Sequence, residues 1–277
     1  MTSTLARTPG ATTRARWPGS SVASQILVLT DRSLRALVRE PQLVVFGLMQ
    51  PVILLFLFTQ VFANLLMTPH FPQGISYVDY LVPAVLIDNA VQSSLQSGVG
   101  LVEDLKNGVV SRLRSLPIQP ASLLIARSLS DLCRSAVQII LILVLAIALL
   151  GYTPKGGVTG ILISIGLTLV VSWALGWVFL AVGTWIRKAE PMQTINGIAL
   201  FPLMFASSAY VPVADLPAWL QVVARANPLT YAVDATRAVA LGIPGSAALA
   251  PAVVISAVIV IVSFGFAVLG FRRPLTP

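Results

Sequence analysis

Charged residues are scarce in this 277-residue chain: Asp, Glu, Lys and Arg together make up 10% of it, whereas 56% of the residues are hydrophobic. Its mean hydropathy is +0.88. A water-soluble domain of this length does not need so much apolar material. The composition therefore predicts an all-α polytopic membrane protein.

Residues that build common catalytic and metal sites are also few. The chain has one cysteine, Cys133, and one histidine, His70, which excludes an intramolecular disulfide and the common zinc constellations. No glycine-rich phosphate loop followed by Lys and Ser or Thr is present, so we expect no ATP site of that type in this chain. These absences predict a non-catalytic protein that binds no metal or cofactor itself.

Six runs are long and apolar enough to be predicted as transmembrane helices. They lie at about residues 43–66, 80–101, 129–151, 158–186, 191–211 and 247–271. Residues 1–24 have the composition of a disordered tail. The pattern of 26–39, with leucines on one helical face and arginines elsewhere, indicates an interfacial helix; an ordinary basic flank is the alternative.

The basic residues predict the orientation of these helices. Of the 18 lysines and arginines, 15 fall in the N-terminal region, the 103–134 segment, the Arg187-Lys188 turn and the C-terminus. Since basic loops stay in the cytoplasm, both termini are expected there. The net charge of +8 is explained in the same way and does not require nucleic acid. The chain has 15 arginines and only 3 lysines. This preference for arginine is typical of a GC-rich genome, so we expect a bacterial cytoplasmic membrane.

The second predicted span is unusually polar. Asp88, Gln92 and Gln96 are four residues apart and share one helical face. An acid at mid-membrane is expensive, so it should face protein or water. Two interpretations remain: a substrate path, or hydrogen bonding between helices. The residues assigned to the possible path are Gln50, Asp88, Asn89, Gln92, Gln96 and Asn196.

The cytoplasmic segment 103–117 is amphipathic, helical in pattern, and ended by a proline. Such a helix between two spans is suited to docking a partner, although charged runs are more often solvated surfaces. The residues predicted to dock are Glu103, Asp104, Gly108, Arg112, Leu113, Arg114, Leu116 and Pro117.

The stretch 200–237 begins as a membrane helix and then breaks repeatedly. Pro212 and Pro217 end the helix, a short segment around Trp219 is amphipathic enough to lie at an interface, and Asn227-Pro228 breaks the chain again. Non-helical backbone at this depth is tolerated only where protein or a water-filled cavity satisfies it. The pattern predicts a bent external cap over residues 212–240.

The spacing of this stretch resembles the family motif of type-2 ABC export permeases. The matching residues are Leu200, Leu203, Ala206-Ser207, Ala209, Leu216-Pro217, Pro228-Leu229, Tyr231 and Arg237. Arg39-Glu40-Pro41 and the segment Glu103 to Pro117 are similar to the daunorubicin/doxorubicin-resistance branch of such membrane subunits. The resemblance covers about residues 25–273 and is specific for the superfamily rather than for a substrate.

The resemblance implies a dimer, homomeric or heteromeric, with two separate ATPase subunits that bind ATP and Mg. It implies that 26–39 is an elbow helix, that 103–117 couples to the ATPase, and that 212–240 forms re-entrant helices closing the outer end of the path. The first and fifth spans would form the dimer interface. Export of an amphipathic, drug-like or lipid-like compound is implied as the function.

The residues assigned to the cap and the family motif are Ser207, Pro217, Pro228, Tyr231 and Arg237. Tyr231 and Arg237 are predicted to be structural and to hold the re-entrant pair by a buried hydrogen bond or an ion pair with Asp234. Two other functions remain open on the residues alone. They are a proton-coupled secondary transporter using Asp88, and a non-transporting membrane scaffold or immunity protein that binds a partner through 103–127.

Overall fold

A computed structural model describes residues 26–28, 30, 31, 35, 41–62, 69–106, 120–243 and 247–271. Within these ranges every regular element is helical. The helices are α1 (Pro41–Leu57, continuing as a π-helical turn Phe58–Phe62), α2 (Tyr77–Lys106), α3 (Pro120–Leu150), α4 (Gly157–Ile186), α5 (Ala189–Phe205), α6 (Ala218–Ala226), α7 (Pro228–Ala240) and α8 (Leu249–Phe271). A 3-10 turn, Val213–Asp215, precedes α6.

Helix α2 lies at the centre of the bundle. At 30 residues it is about 45 Å long, and it contacts α1, α3, α4, α5 and α7. Most of its residues are buried, including Asp79, Asp88, Asn89 and its serines, whereas Gln92 is half-buried and Gln96 is exposed. Helix α4 is the second central element, packing extensively against both α2 and α8. The buried polar residues of α2 are therefore surrounded by protein.

Glycines allow the two central helices to approach closely. A Cβ atom on Gly98 of α2 would lie 2.7 Å from the carbonyl oxygen of Phe179 on α4, and one on Gly183 would lie 3.0 Å from the carbonyl oxygen of Gly98. Such close backbone approach through small residues is typical of helix packing in membranes. Larger side chains at these positions would push α2 and α4 apart.

In the part of the chain that the structure describes, three helices are long and apolar enough to cross a membrane by length and composition: Ala121–Leu150, Gly157–Ile186 and Leu249–Phe271. The apolar stretch Val45–Val61 of α1 is shorter, and α2 is long but carries many polar residues. The coarse prediction of an all-helical, multi-pass membrane protein is thus confirmed. The count of six spans, the orientation and the elbow helix remain predictions.

The helix in the fifth predicted span ends earlier than expected. The prediction extended to residue 211, whereas α5 ends at Phe205. The reason lies in the tertiary structure, because side chains from α2 and from α7 and its N-cap bind the carbonyl groups that follow Phe205. Several predicted segments lie wholly or partly outside the described residues, among them the tail 1–24, most of the helix 26–39, and residues 107–117 of the docking segment.

Candidate functional site

The non-helical segment between α5 and the 3-10 turn, residues 206–212, is the centre of the candidate site. Residues 206–210 are all buried, so carbonyl groups released from the helix need hydrogen-bond donors within the protein. The donors come from α2 and from α7 with its N-cap, which brings residues more than a hundred positions apart into one site.

Arg237 of α7 makes most of these bonds. Its Nη2 donates to the carbonyl oxygens of Ser208 at 2.8 Å and Ala209 at 3.2 Å, and its Nε donates to the carbonyl oxygen of Tyr80 at 3.1 Å. Nη1 lies 3.0 Å from Oδ1 of Asp234. The Arg237 side chain is only 8% exposed. The planar guanidinium with five donors suits this task, whereas a lysine ammonium would not span the same acceptors.

Tyr80 of α2 contributes in two ways. The guanidinium carbon of Arg237 lies 3.6 Å from the centroid of the Tyr80 ring, a cation–π contact. The Tyr80 hydroxyl donates to the carbonyl oxygen of Ser208 at 3.1 Å, and the nearby Tyr77 hydroxyl reaches the carbonyl of Tyr210 at 3.5 Å. The broken segment is thus fixed between α2 and α7.

Asn227 fixes the same segment from the junction of α6 and α7. Its amide nitrogen donates to the carbonyl oxygens of Leu203 at 2.6 Å and Ala206 at 2.7 Å. Its Oδ1 accepts from the backbone nitrogen of Leu229 at 2.9 Å, which makes Asn227 the N-cap of α7, with Pro228 at the favoured first position. One side chain therefore starts α7 and ends α5.

The other motif residues lie around this site. Ser207 is buried, and its hydroxyl donates to the carbonyl oxygen of Met204 at 2.5 Å. The Tyr231 hydroxyl donates to the carbonyl oxygen of Arg225 at 2.9 Å, linking α7 back to α6. Pro217 is exposed and occupies the N-cap position of α6. The contacts of Arg237 and Tyr231 are of the kind that a structural role requires, and the roles themselves remain predictions.

The residues assigned to the substrate path are not all brought together. Asp88 and Asn89 are each 2% exposed, Gln92 is half-buried, and Gln96 and Gln50 are exposed. The stripe on α2 therefore runs from the interior to the surface. Oδ2 of Asp88 and Nδ2 of Asn89 have no hydrogen-bond partner among the described residues. The side chain of Asn196 lies outside the described residues.

The predicted docking residues lie at the end of α2 and beyond it. Glu103 is exposed, and Asp104 is half-buried and pairs with Arg127 of α3. The remaining six, Gly108, Arg112, Leu113, Arg114, Leu116 and Pro117, lie outside the described residues.

At the opposite end of α2, two polar contacts tie loops to the bundle. Oδ1 of Asp79 accepts from the backbone nitrogen of Thr153 at 2.9 Å. Next to it, burial and the nearby carboxylate of Asp79 raise the pKa of the Tyr152 phenol above its ordinary value. His70 Nδ1 lies 2.5 Å from Oδ1 of Asp215, linking the loop before α2 to the 3-10 turn.

One cluster of charges between the helices was not predicted from the sequence. Arg127, Asp131 and Arg134 occupy positions i, i+4 and i+7 of α3 and form ion pairs with one another and with Asp104 of α2. The spacing was visible in the sequence, because these are the charged residues of an otherwise apolar helix. Their pairing across helices was not visible.

Comparison with known proteins identifies the family. The ABC-2 type transporter family pattern matches residues 24–241. The chain belongs to the ABC-2 type transporter family. This membership confirms the prediction of a membrane subunit of an ABC exporter.

Individual relatives of the chain are also transport permeases. The chain is 27% identical over 226 residues to a daunorubicin resistance ABC transporter permease protein of Streptomyces coeruleorubidus, covering 82% of this chain and 78% of the relative. It is 26% identical over 269 residues to a probable doxorubicin resistance ABC transporter permease protein of Mycobacterium tuberculosis, covering 94% and 95%. A putative transport permease of Pyropia yezoensis is 29% identical over 225 residues, covering 78% and 74%.

Proposed function

We propose that this chain is the non-catalytic permease subunit of an ATP-driven exporter that moves an amphipathic, drug-like or lipid-like compound outward. The observation that carries the proposal is the family match over residues 24–241, which ends just beyond α7 and so includes the cap held by Arg237. The resistance functions in the names of two relatives support a drug-like substrate.

In this proposal, two separate ATPase subunits supply the energy. ATP and Mg bind to those subunits, and the segment 103–117 docks into them. Nucleotide must favour one conformation of the complex over another, since only a differential affinity can shift the equilibrium. Six spans with both termini in the cytoplasm would place 103–117 beside the ATPases and the cap 212–240 at the outer end of the path.

A second permease, identical or different, would complete the path. Helices α1 and α5 are proposed as the interface, as the family resemblance implies. Both expose large apolar side chains, including Phe46 and Phe56 on α1 and the stacked Phe201 and Phe205 on α5. The alternative occupant of these surfaces is lipid.

Co-purification tests the proposed function. The chain is isolated from native membranes in mild detergent, its partners are identified by mass spectrometry, and ATP hydrolysis is measured. We expect a stoichiometric ATPase, lost from the double variant Arg112→Asp/Leu116→Asp. The matched control is Leu5→Asp/Arg7→Asp, which makes the same two changes before the family match begins, and it should retain the ATPase. A chain that purifies without an ATPase would overturn the proposal.

Cysteine crosslinking tests the interface. With Cys133 replaced by Ser, single cysteines are introduced at Phe201 of α5 and, as a control, at Val254 of α8, which is 60% exposed. A short bifunctional maleimide should give a crosslinked permease pair from position 201 and none from position 254. The reverse result would refute the assignment of α5 to the interface.

A further inference from the structure

Four charged side chains link the C-terminal end of α2 to the N-terminal half of α3. They are Asp104, Arg127, Asp131 and Arg134. We refer to them as the charged ladder. Arg127 pairs with Asp104 across the two helices, Arg127 Nε lies 3.6 Å from Oδ2 of Asp131, and Arg134 Nη2 lies 3.2 Å from Oδ1 of Asp131. The four formal charges cancel.

The ladder extends into the bundle. Arg134 lies 16 residues before the end of α3 at Leu150, which corresponds to about 24 Å along the helix axis. The side chains of Arg127, Asp131 and Arg134 are only 21%, 15% and 21% exposed. Partly buried ionised groups on a membrane helix are costly unless they are paired, and they commonly mark functional sites.

Arg127 is the member that joins the two helices. Its guanidinium lies against the backbone of α2 at Gly100, where a Cβ atom would collide with it. It contacts an acid on each side, one on α2 and one on its own helix. Arg127 is therefore the side chain through which the end of α2 is joined to α3.

Asp131 extends the connection to α4. It lines a small cleft with Ser93 and Ser97 of α2, Ser128 of α3, and Ser172 and Trp173 of α4. The space open to the centre of a water molecule in this cleft is about 10 Å³, which is enough for one water. The Trp173 indole nitrogen donates to the Ser128 hydroxyl at 2.7 Å, so α3 and α4 are bonded at its wall.

The ladder is only partly satisfied. Among the described residues, Arg127 Nε, Asp131 Oδ2 and Arg134 Nη2 are buried without a hydrogen-bond partner. These atoms are ion-paired with one another but make no well-aligned hydrogen bond, and a network bonded in this way is held less rigidly than a fully hydrogen-bonded one. The ladder therefore joins the helices without locking them into one rigid arrangement.

We propose that Arg127 is a positioning residue for energy coupling: by holding Asp104 against Asp131, it passes movement of the segment 103–117 to α3 and α4. The inference rests on the proposed function, in which that segment contacts the ATPase. Arg127 lies outside the residues predicted to touch the ATPase itself.

The native cysteine supplies a reporter. Cys133 lies on α3 between Asp131 and Arg134 and is half-buried. In the complex purified with its ATPase, the rate of labelling by N-ethylmaleimide is measured with and without a non-hydrolysable ATP analogue. We expect the analogue to change the wild-type rate about fivefold or more. The change should disappear in Arg127→Asp, which replaces the guanidinium between Asp104 and Asp131 by a third carboxylate.

Two further variants keep the test decisive. Arg127→Lys retains the charge but loses the planar fork, so an intermediate response is expected even if Arg127→Asp fails to assemble. Arg35→Asp breaks an exposed pair with Asp31 and should leave the response unchanged. Absence of an ATPase from the wild-type complex would refute the proposed function. A bound ATPase with no change in Cys133 labelling, or an equal change in the Arg127 variants, would refute the role of Arg127 alone.

Discussion

Replacing Arg237 with alanine is the sharpest test of how the cap is held. The substitution removes three hydrogen bonds to backbone carbonyls and the cation–π contact with Tyr80. The carbonyl of Ala209 lies in a buried, non-helical segment where water cannot readily replace the lost donor. We therefore expect the cap to loosen and the whole protein to become less stable.

The magnitude follows from these bonds. Hydrogen bonds to a charged donor contribute about 1.5–3 kcal/mol each, and removing one partner of a buried charged network costs about 3–5 kcal/mol in all. The ion pair with Asp234 adds little, because that carboxylate is 42% exposed and screened by water. The total expected loss is about 3–5 kcal/mol.

Unfolding of the purified protein in detergent measures the change. A loss of this size lowers the midpoint of thermal unfolding by about 10 °C. The matched control is Arg225→Ala, since Arg225 is exposed on the neighbouring helix α6 and should change stability by less than about 0.5 kcal/mol. If Arg237→Ala were as stable as Arg225→Ala, the argument that Arg237 satisfies the broken backbone would be wrong.

Three other predictions concern residues with defined surroundings. Asn227→Ala loses both the acceptor that caps α7 and the donor to Leu203 and Ala206, so its unfolding midpoint should fall below that of wild type, and an unchanged midpoint would contradict the role of Asn227 at both helices. Gly98→Ala should reduce stability by about 1–3 kcal/mol through overpacking against α4, whereas Gly166→Ala, with open space around it, should not; equal midpoints would contradict the close approach of α2 and α4. Asp88→Asn should not lower the unfolding midpoint, because Oδ2 of Asp88 makes no hydrogen bond among the described residues that the substitution could remove. If Asp88 lines the path, the same variant should change the set of drugs that cells export.

Local features of the sequence were enough to predict the fold class and the family. Long apolar runs dictate membrane helices because every backbone polar group in lipid must be bonded within its own segment. The prolines at 217 and 228 predicted the breaks before α6 and α7, since proline cannot donate to a preceding carbonyl. Pro212 was expected to end the preceding helix, but α5 already ends at Phe205. The amphipathic pattern around Trp219 predicted a short interfacial segment. The structure forms a short helix there, Ala218–Ala226, and its position at the interface remains a prediction.

Contacts between distant segments could not be read from the same patterns. The end of α5 at Phe205 depends on Tyr80, Asn227 and Arg237, whose side chains meet only after folding. The stripe from Asp88 to Gln96 looked uniform in sequence, yet packing against neighbouring helices buries one end and exposes the other.

The sequence by itself determined that this protein is helical, membrane-embedded and a member of its transporter family, because hydropathy and proline positions act over a few residues at a time. Only the tertiary structure decided which donors satisfy the broken backbone and that Arg127 joins α2 to α3. Those pairings depend on the register of helices packed side by side. A single sequence records the spacing of charges along a helix, but not the partner that lies across from each of them.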